Sequence, residues 1–290
     1  MTEHTKEPAT LAQMQEALYS LLQEFDRVCR ELAIPYVLFA GTMLGAVRHQ
    51  GFIPWDDDLD VIMLRTDYER FLREAGSVLN REKFFLQKEF SEHWPMFFSK
   101  LRLNHSACLE KYHPKDPKCH QGIYMDIFPC DNAASTQLGR KLQFFASKVV
   151  IAKSLDARGY DTDSKAKKAF MAVCKMLPLG LFLKITKSAK KNSTLVHAFL
   201  GASSSFEKSV FPRHTFQHRI DVPFSSGEFP IPTEYDMLLK TLYGAYMELP
   251  PEQERVIKQH AILVDIHNSY EQYAHYRDGM RFDVLTRSIR

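Results

Sequence analysis

Four aspartates lie within five residues, in the order Asp56-Asp57-Asp58-Leu59-Asp60. Residues 58–63 alternate in character as a β-strand does, which places Asp58 and Asp60 on one face. Two carboxylates held this close repel each other and favour a bound cation, and Mg²⁺ or Mn²⁺ prefers oxygen ligands. Enzymes use a divalent cation held by carboxylates to bind the phosphates of a substrate. The cluster therefore predicts metal-dependent phosphoryl-transfer chemistry.

A further carboxylate, Asp126, lies in a later predicted strand over residues 123–129. If that strand is adjacent to the first, Asp126 completes an oxygen cage around the cation bound by Asp58 and Asp60. Asp56 also falls two residues before Asp58, but it lies nearer the preceding loop and is an outer or second-site candidate. Asp57 faces the other way, and we expect it to tolerate substitution best.

Two other interpretations of the aspartates must be considered. A run of acidic residues is often a solvated loop. Alternatively, Asp56, Asp58 and Asp60 match the first three ligand positions of an EF-hand calcium loop. That loop requires glycine at its sixth position, where this chain has Val61 inside an apolar strand, and the EF-hand is therefore excluded.

A short helix between residues 41 and 49 follows a predicted strand at 36–40. Gly41 and Thr42 open this helix, and the backbone N–H groups of a helix N-terminus suit a phosphate. Arg48 and His49 close it, and both side chains are suited to phosphate oxygens. Arg48 has a simpler alternative role, which is to complement the negative end of its own helix.

Two more basic residues, Lys100 and Arg102, share one face of a predicted strand at 96–103. Either side chain suits a substrate phosphate, and Arg is able to bind it with two hydrogen bonds. The alternative for Arg102 is an ordinary position at the edge of the sheet.

Aromatic residues near the aspartates are candidates to bind a quaternary ammonium group through their ring faces. Trp55 lies in the loop before the aspartates, and Tyr112, Tyr124 and Phe128 lie on or near the later strands. The alternative is that these rings belong to the hydrophobic core. Cys108, His113, Cys119 and His120 also lie close in sequence, but they lack the Cys-x-x-Cys pair of structural zinc sites, and chance clustering explains them equally well.

The hydrophobic pattern predicts an α/β (α+β) protein, with a mixed sheet flanked by helices. Predicted helices cover residues 11–33, a segment after a capping box at Thr66 and Glu69, residues 233–243 and a last segment through His260. Predicted strands cover 36–40, 58–63, 84–88, 96–103 and 123–129. Residues 135–205 form a helical, lysine-rich insertion, whose basic face suits either solvent or anionic lipid headgroups.

The composition excludes several classes of protein. A net charge of +3 in 290 residues is too small to indicate a nucleic-acid partner. The polar N-terminus lacks the apolar core of a signal peptide, and the longest apolar stretch is too short for a membrane span. Five scattered cysteines predict reduced thiols and a cytoplasmic location.

Residues 41–60 read GTMLGAVRHQGFIPWDDDLD, and four shorter segments follow in order. These are SKLR at 99–102, GIYMDIFP at 122–129, FPIP at 229–232 and YGAYMELPP at 243–251. Together they resemble the LicD family of phosphocholine-type transferases, which have the nucleotidyltransferase fold and are related to the fukutin group. The resemblance covers most of the chain outside the first helix, the insertion and the tail, and implies one nucleotidyltransferase-like domain over residues 1–290.

The resemblance implies transfer of phosphocholine from CDP-choline to a hydroxyl of a cell-surface glycan, such as lipopolysaccharide or teichoic acid. It implies that Asp58 and Asp60 bind Mg²⁺ or Mn²⁺, and that Asp126 is a third ligand or the base. A lipid-linked acceptor would bring the protein to the inner face of the membrane as a peripheral protein. Transfer of ribitol-phosphate, glycerol-phosphate or a sugar-phosphate remains an alternative, as does a non-catalytic scaffold of the same fold.

Overall fold

The computed structural model describes residues 9–110, 112, 116, 118–200, 205–256 and 261–273. Its helices are α1 (Leu11–Glu31), α2 (Ala40–His49), α3 (Arg65–Glu74), α4 (Gln137–Ala157), α5 (Lys165–Met176), α6 (Leu179–Thr186) and α7 (Tyr235–Tyr243). Its strands are β1 (Val37–Leu38), β2 (Asp60–Leu64), β3 (Phe84–Gln87), β4 (Ser99–Leu103), β5 (Ala107–Glu110), β6 (Tyr124–Asn132), β7 (Leu195–His197), β8 (Val210–Pro212), β9 (Arg219–Phe224), β10 (Gly227–Pro232) and β11 (Ala261–Asp265).

A mixed sheet with the strand order β1-β2-β6-β4-β3 forms the centre of the protein, and β7 and β8 continue from β6. β2 and β6 run parallel, whereas β1 pairs with β2, and β4 with both β3 and β6, in antiparallel fashion. α1 packs against β4 and β6, and α3 packs against β2 and β6. The predicted α/β class, with a mixed sheet flanked by helices, is confirmed.

The amphipathic pattern of α1 explains how the sheet is covered. Thr10 caps the helix by accepting a hydrogen bond from the backbone N–H of Gln13, whose side chain accepts one in return from the Thr10 N–H. Leu18 and Phe25 are among the residues that this helix buries completely. Burying one such side chain contributes about 1.5–3 kcal/mol. The predicted helix at 11–33 is confirmed and ends at Glu31, two residues earlier than expected.

Two predicted helix features are wrong. The capping box of Thr66 and Glu69 does not form, because α3 begins at Arg65, directly after β2. The residue at the N-cap is therefore Leu64, whose side chain makes no capping hydrogen bond. The predicted last helix is the second: in the described residues between Pro250 and residue 257, the chain forms only a short 3₁₀ turn at Glu252–Glu254. His260 lies outside the described residues, and the segment after it is the strand β11, which pairs with β5.

Residues 137–186 form three helices that pack on one another. α4 contacts both α5 and α6, and its Gln143 side chain donates hydrogen bonds to the carbonyls of Asn132 and Thr186. In the part of the chain that the structure describes, no single helix is long and apolar enough to cross a bilayer. α5 and α6 together meet the criteria of length and composition, but they bend by 101° where they meet.

Candidate active site

Three polar residues lie in one row across the central sheet. Asp60 on β2 is the register partner of Asp126 on β6, and Asp126 is the register partner of Lys100 on β4. Residues directly opposite each other on neighbouring strands project from the same face. The sheet therefore brings together an aspartate from the cluster, the later lone aspartate and a lysine that are far apart in sequence.

The loop before β2 completes this arrangement. The strand begins at Asp60, so Asp58 lies in the loop and not on the strand as predicted. Asp56, Asp58 and Asp60 nevertheless all line one cavity of about 310 Å³. Asp57 does not line it and is only 3% exposed, so it is a buried residue on the other side of the loop.

Hydrogen bonds from two sides fix the position of Asp60. Its backbone N–H donates to Thr42 Oγ1 at 2.8 Å, and its carbonyl accepts from the N–H of Phe39 at 3.0 Å. Thr42 is thus a buried residue that positions the first residue of β2. Gly41 lines the cavity, and a Cβ atom at this position would lie 3.0 Å from Asp56 Oδ2. A glycine therefore lets the positive N-terminal end of α2 approach this carboxylate closely.

The neighbouring carboxylates raise one another's pKa. Burial raises the pKa of Asp60 well above its usual value, and the neighbouring Asp58, Asp126 and Asp56 raise it further. Burial also raises the pKa of Asp126, although Lys100 opposes the shift. Carboxylates gathered in this way favour binding of a cation, because each negative charge increases the energy of the others.

The aspartates offer carboxylate oxygens to a divalent cation. Asp126 Oδ1 is buried and has no hydrogen-bond partner among the described residues. The Lys100 ammonium lies 3.3 Å from this oxygen, as an ion pair without hydrogen-bond geometry. Carboxylate oxygens are the ligands that Mg²⁺ and Mn²⁺ prefer, so the residues fit such an ion. Within the described residues, however, no group of three or more His, Cys, Asp and Glu side chains is arranged to hold a metal ion, so Asp58, Asp60 and Asp126 would have to move closer together around it.

Lys100 has a different position from the one that the sequence suggests. Its side chain is 1% exposed, and its ammonium lies between Asp126 and Glu110, 3.7 Å from Glu110 Oε2. The same ammonium lies 3.0 Å from the ring centroid of Tyr124. Burial lowers the pKa of Lys100, and the two carboxylates counteract this shift. Lys100 is thus a buried partner of Asp126 that orients the carboxylate.

Glu110 on β5 anchors this lysine. Burial alone would raise the pKa of Glu110, but Lys100 and Arg158 lower it to about 2. Glu110 Oε1 accepts hydrogen bonds from the Tyr124 hydroxyl at 3.0 Å and lies 3.0 Å from Arg158 Nη2. The result is a chain of charges that runs from Asp126 through Lys100 and Glu110 to the end of α4.

The other predicted phosphate-binding residues lie apart from the cavity. Arg102 is buried and donates hydrogen bonds to Gln87 Oε1 and the carbonyl of Gly122, so the expectation that it faces a phosphate is wrong. Arg48 donates to the carbonyls of Tyr246 and Glu248 and thereby holds the segment after α7 against α2.

His49 and Trp55 lie next to each other. The His49 ring packs edge-on to Trp55, with 6.2 Å between the ring centroids. Trp55 lines the cavity, whereas His49 does not. The guanidinium carbon of Arg255 lies over the Trp55 ring, 6.0 Å from the ring centroid.

The four aromatic candidates do not form one cage. The face of Tyr124 is covered by Lys100, Phe128 packs against Phe98 in the core, and Tyr112 packs against Tyr160. Trp55 alone among them lines the cavity, where Tyr243 joins it. Two aromatic side chains therefore border the aspartates, and one of them was not expected.

The possible zinc ligands do not form a metal-binding group in the described part of the chain. His120 Nδ1 accepts a hydrogen bond from the N–H of Gly122, and its Nε2 lies 3.1 Å from Asn104 Oδ1. Cys108 and Cys119 are both buried, and burial raises the pKa of Cys108 to about 12. His113 lies outside the described residues, and the remaining three do not form a metal-binding group.

Part of the chain that contains these residues matches a known protein family. Residues 33–137 match the family model described as "LicD/FKTN/FKRP, nucleotidyltransferase domain". The chain carries a LicD-family domain. The LicD match spans β1 to β6 and so includes the aspartates, Lys100 and Glu110, whereas Tyr243 lies beyond it.

The chain is also similar to the lipopolysaccharide cholinephosphotransferase LicD of Haemophilus influenzae, with 28% identity over 275 residues. This alignment covers 85% of the chain and 94% of the relative. Shorter matches connect the chain to uncharacterized proteins of Rickettsia typhi and Rickettsia prowazekii, at 44% identity over 55 residues and 45% over 51. These cover 19% and 18% of the chain and 18% and 19% of the two relatives.

Proposed function

We propose that this LicD-family protein is a metal-dependent transferase that moves phosphocholine from CDP-choline to a hydroxyl group of a cell-surface glycan. The observation that carries the proposal is the cavity lined by Asp56, Asp58 and Asp60, with Asp126 beside Asp60 in register. The Haemophilus influenzae relative is by name a cholinephosphotransferase of lipopolysaccharide. Its name supports phosphocholine as the transferred group and a glycan as the acceptor.

In this proposal, Asp58, Asp60 and Asp126 hold Mg²⁺ or Mn²⁺. A bound divalent cation would neutralise the diphosphate of the donor and stabilise CMP as it leaves. The row across the sheet gives Asp60 and Asp126 fixed backbone positions, and preorganised groups need little rearrangement during the reaction.

The chemical step exchanges one phosphorus–oxygen bond for another. The acceptor hydroxyl oxygen bonds to the phosphorus of phosphocholine, and the bond from that phosphorus to the CMP oxygen breaks, so that CMP departs with the electron pair. A carboxylate within reach accepts the hydroxyl proton, and Asp126 is our candidate for this base if it is not a ligand. Lys100 favours the ionised form of Asp126, which is the form that is able to accept a proton.

Other nucleotide-linked donors are the alternatives to CDP-choline. CDP-ribitol, CDP-glycerol and a nucleotide-linked sugar-phosphate would use the same aspartates, and only the donor pocket would differ. Trp55 and Tyr243 at the cavity favour choline, because aromatic faces attract a quaternary ammonium. A lipid-linked acceptor also implies peripheral contact with a membrane.

The test is to incubate the protein with Mg²⁺, CDP-choline and lipopolysaccharide acceptor and to measure CMP release and phosphocholine incorporation. CDP-ribitol and CDP-glycerol are compared under the same conditions. We expect the highest kcat/KM for CDP-choline and loss of turnover on addition of EDTA. A preference for another CDP-alcohol would change the donor, and absence of turnover with all of them would support the scaffold alternative.

The matched variants are Asp58→Ala and Asp60→Ala, with Asp163→Ala as the control. Asp163 is an exposed aspartate between α4 and α5 and does not line the cavity. We expect the first two variants to lose turnover by about 100-fold or more, since disruption of a ligand's own supporting contacts already costs 10–100-fold. Wild-type turnover in both would exclude the metal-site assignment.

A further inference from the structure

A row of large apolar side chains on α4 is exposed. Leu138, Leu142 and Phe145 are spaced by four and three residues, so they form one stripe along the helix. Leu138 is 80% exposed, and the other two are about half exposed. The opposite face of α4, which includes Gln143 and Ser147, is buried in the protein. This stripe therefore lies on the outer surface.

The neighbouring helices also expose large apolar side chains. Met176 at the end of α5 is 88% exposed, and Val173 and Leu181 are also exposed. Half of the exposed large hydrophobic side chains in the described residues lie on α4, α5 and α6. Soluble surfaces normally carry such residues singly, and a concentration of them marks an interaction surface.

The charges around the apolar residues are almost all positive. Counted over α4, α5 and α6, nine residues are Lys or Arg and one is Asp, which gives a net charge of +8. The whole chain has a net charge of +3, so the remaining residues sum to −5. The basic residues are Arg140, Lys141, Lys148, Lys153, Lys165, Lys167, Lys168, Lys175 and Lys184. The positive charge of the chain is thus concentrated on these three helices.

We infer that α4, α5 and α6 form a docking surface for an anionic membrane. Exposed apolar side chains would enter the boundary between headgroups and acyl chains, while lysines extend their ammonium groups to the lipid phosphates. Charge complementarity selects this occupant, because three helices whose residues carry a net charge of +8 match a negative leaflet. The 101° bend between α5 and α6 suits helices that lie along a surface.

The experiment uses the full chain and vesicles made of equal parts of phosphatidylglycerol and phosphatidylcholine. Co-sedimentation at low salt measures the partition coefficient, without donor or acceptor, so the result is independent of the transferase proposal. We expect binding to these vesicles, little binding to pure phosphatidylcholine and weaker binding at high salt.

Two sets of substitutions separate the contributions. The first variant changes three exposed lysines, Lys165, Lys167 and Lys184, to Gln together. We expect its partition coefficient to fall by about tenfold or more, because one lysine near an anionic surface contributes about fivefold to binding. Leu138, Leu142 and Phe145 are changed to Ser together, and we expect a loss of binding that persists at high salt. Matched controls are Lys83, Lys118 and Lys208→Gln, and Phe85 with Ile220→Ser, which are exposed elsewhere.

Three results would overturn the inference. These are no binding of the wild type to anionic vesicles at low salt, equal binding by the lysine variant and its control, or a stable dimer that the α4 substitutions dissociate. The last result would mean that a second copy of the chain covers the surface. If the apolar variant fails to fold, as judged by circular dichroism, the lysine variant still decides the question.

Discussion

Asp60 and Asp126 occupy the same register position on the parallel strands β2 and β6, with neighbouring carboxylates of Asp58 and Asp56 beside them. Lys100 is the register partner of Asp126 on its other side. The sheet thus places more negative than positive charge at one point. Such an arrangement opposes folding and favours ligand binding, which is the usual trade between stability and function.

The first prediction concerns Asp60→Asn. Removing one of the mutually repelling carboxylates should raise the free energy of unfolding without metal by about 1 kcal/mol, the scale of one pKa unit. Mg²⁺ should raise the melting temperature of the wild type but not of the variant. Thermal unfolding with and without Mg²⁺ measures both effects. The control is Asp163→Asn, which should leave the melting temperature and its response to Mg²⁺ unchanged.

The second prediction concerns the ion pairs of Lys100. Lys100→Met should destabilise the protein by about 3–5 kcal/mol, because Asp126 and Glu110 would remain buried without their shared cation. The double variant Lys100→Met with Glu110→Gln should recover part of this loss, since one of the stranded charges is removed. Urea denaturation of the four proteins in the cycle gives the coupling energy.

The activity of the same variants distinguishes two roles for Lys100. If it only orients Asp126, Lys100→Met lowers kcat and leaves the KM for the donor nearly unchanged. A large rise in KM with an unchanged kcat would show instead that Lys100 binds a substrate phosphate.

Local patterns were enough to predict the elements that carry the aspartates. The helical spacing of Leu18 and Phe25 predicted α1, and alternation predicted β2 and β6 with Asp126 on the latter. The pattern also indicated that Lys100 and Arg102 share a strand face. It gave no information about strand register, and only the pairing of β2 with β6 brings Asp60 beside Asp126.

The residues that sequence analysis missed are those whose role depends on distant contacts. Glu110 lies in a four-residue strand, and nothing local connects it to Lys100 ten residues earlier. Tyr243 ends α7 and reaches the cavity because Arg48 holds the following segment against α2. Arg102 was misassigned because alternation shows which face a side chain shares but not whether another layer covers it.

The third prediction is a pH dependence of stability that involves His120. Burial lowers the pKa of His120 to about 3, against 6.5 for an unperturbed histidine. The unfolded chain therefore binds a proton at a pH where the folded protein does not, and stability falls as the pH falls from 6.5 towards 3. His120→Asn, which retains a hydrogen-bond acceptor for the Gly122 N–H, should weaken this dependence.

Urea denaturation at several pH values between 7 and 4 measures the slope for each variant. His267 is an exposed histidine, and His267→Asn is the matched control. Equal slopes for the wild type and His120→Asn would mean that the His120 ring is protonated in the folded protein.

The last prediction tests whether Trp55 recognises the head group of the donor. Trp55→Ala should weaken binding of CDP-choline by about 2- to 30-fold, the range of a cation–π contact worth about 0.5–2 kcal/mol. The same change should weaken CDP-glycerol much less, because glycerol carries no positive charge, and Trp55→Phe should retain most of the choline preference. Titration calorimetry with both donors in the presence of Mg²⁺ measures the ratio of the two dissociation constants, and Phe85→Ala is the control for loss of an exposed ring. An equal loss of affinity for both donors would show that Trp55 shapes the cavity without reading the charge, and Tyr243 would then be the aromatic residue to test in the same way.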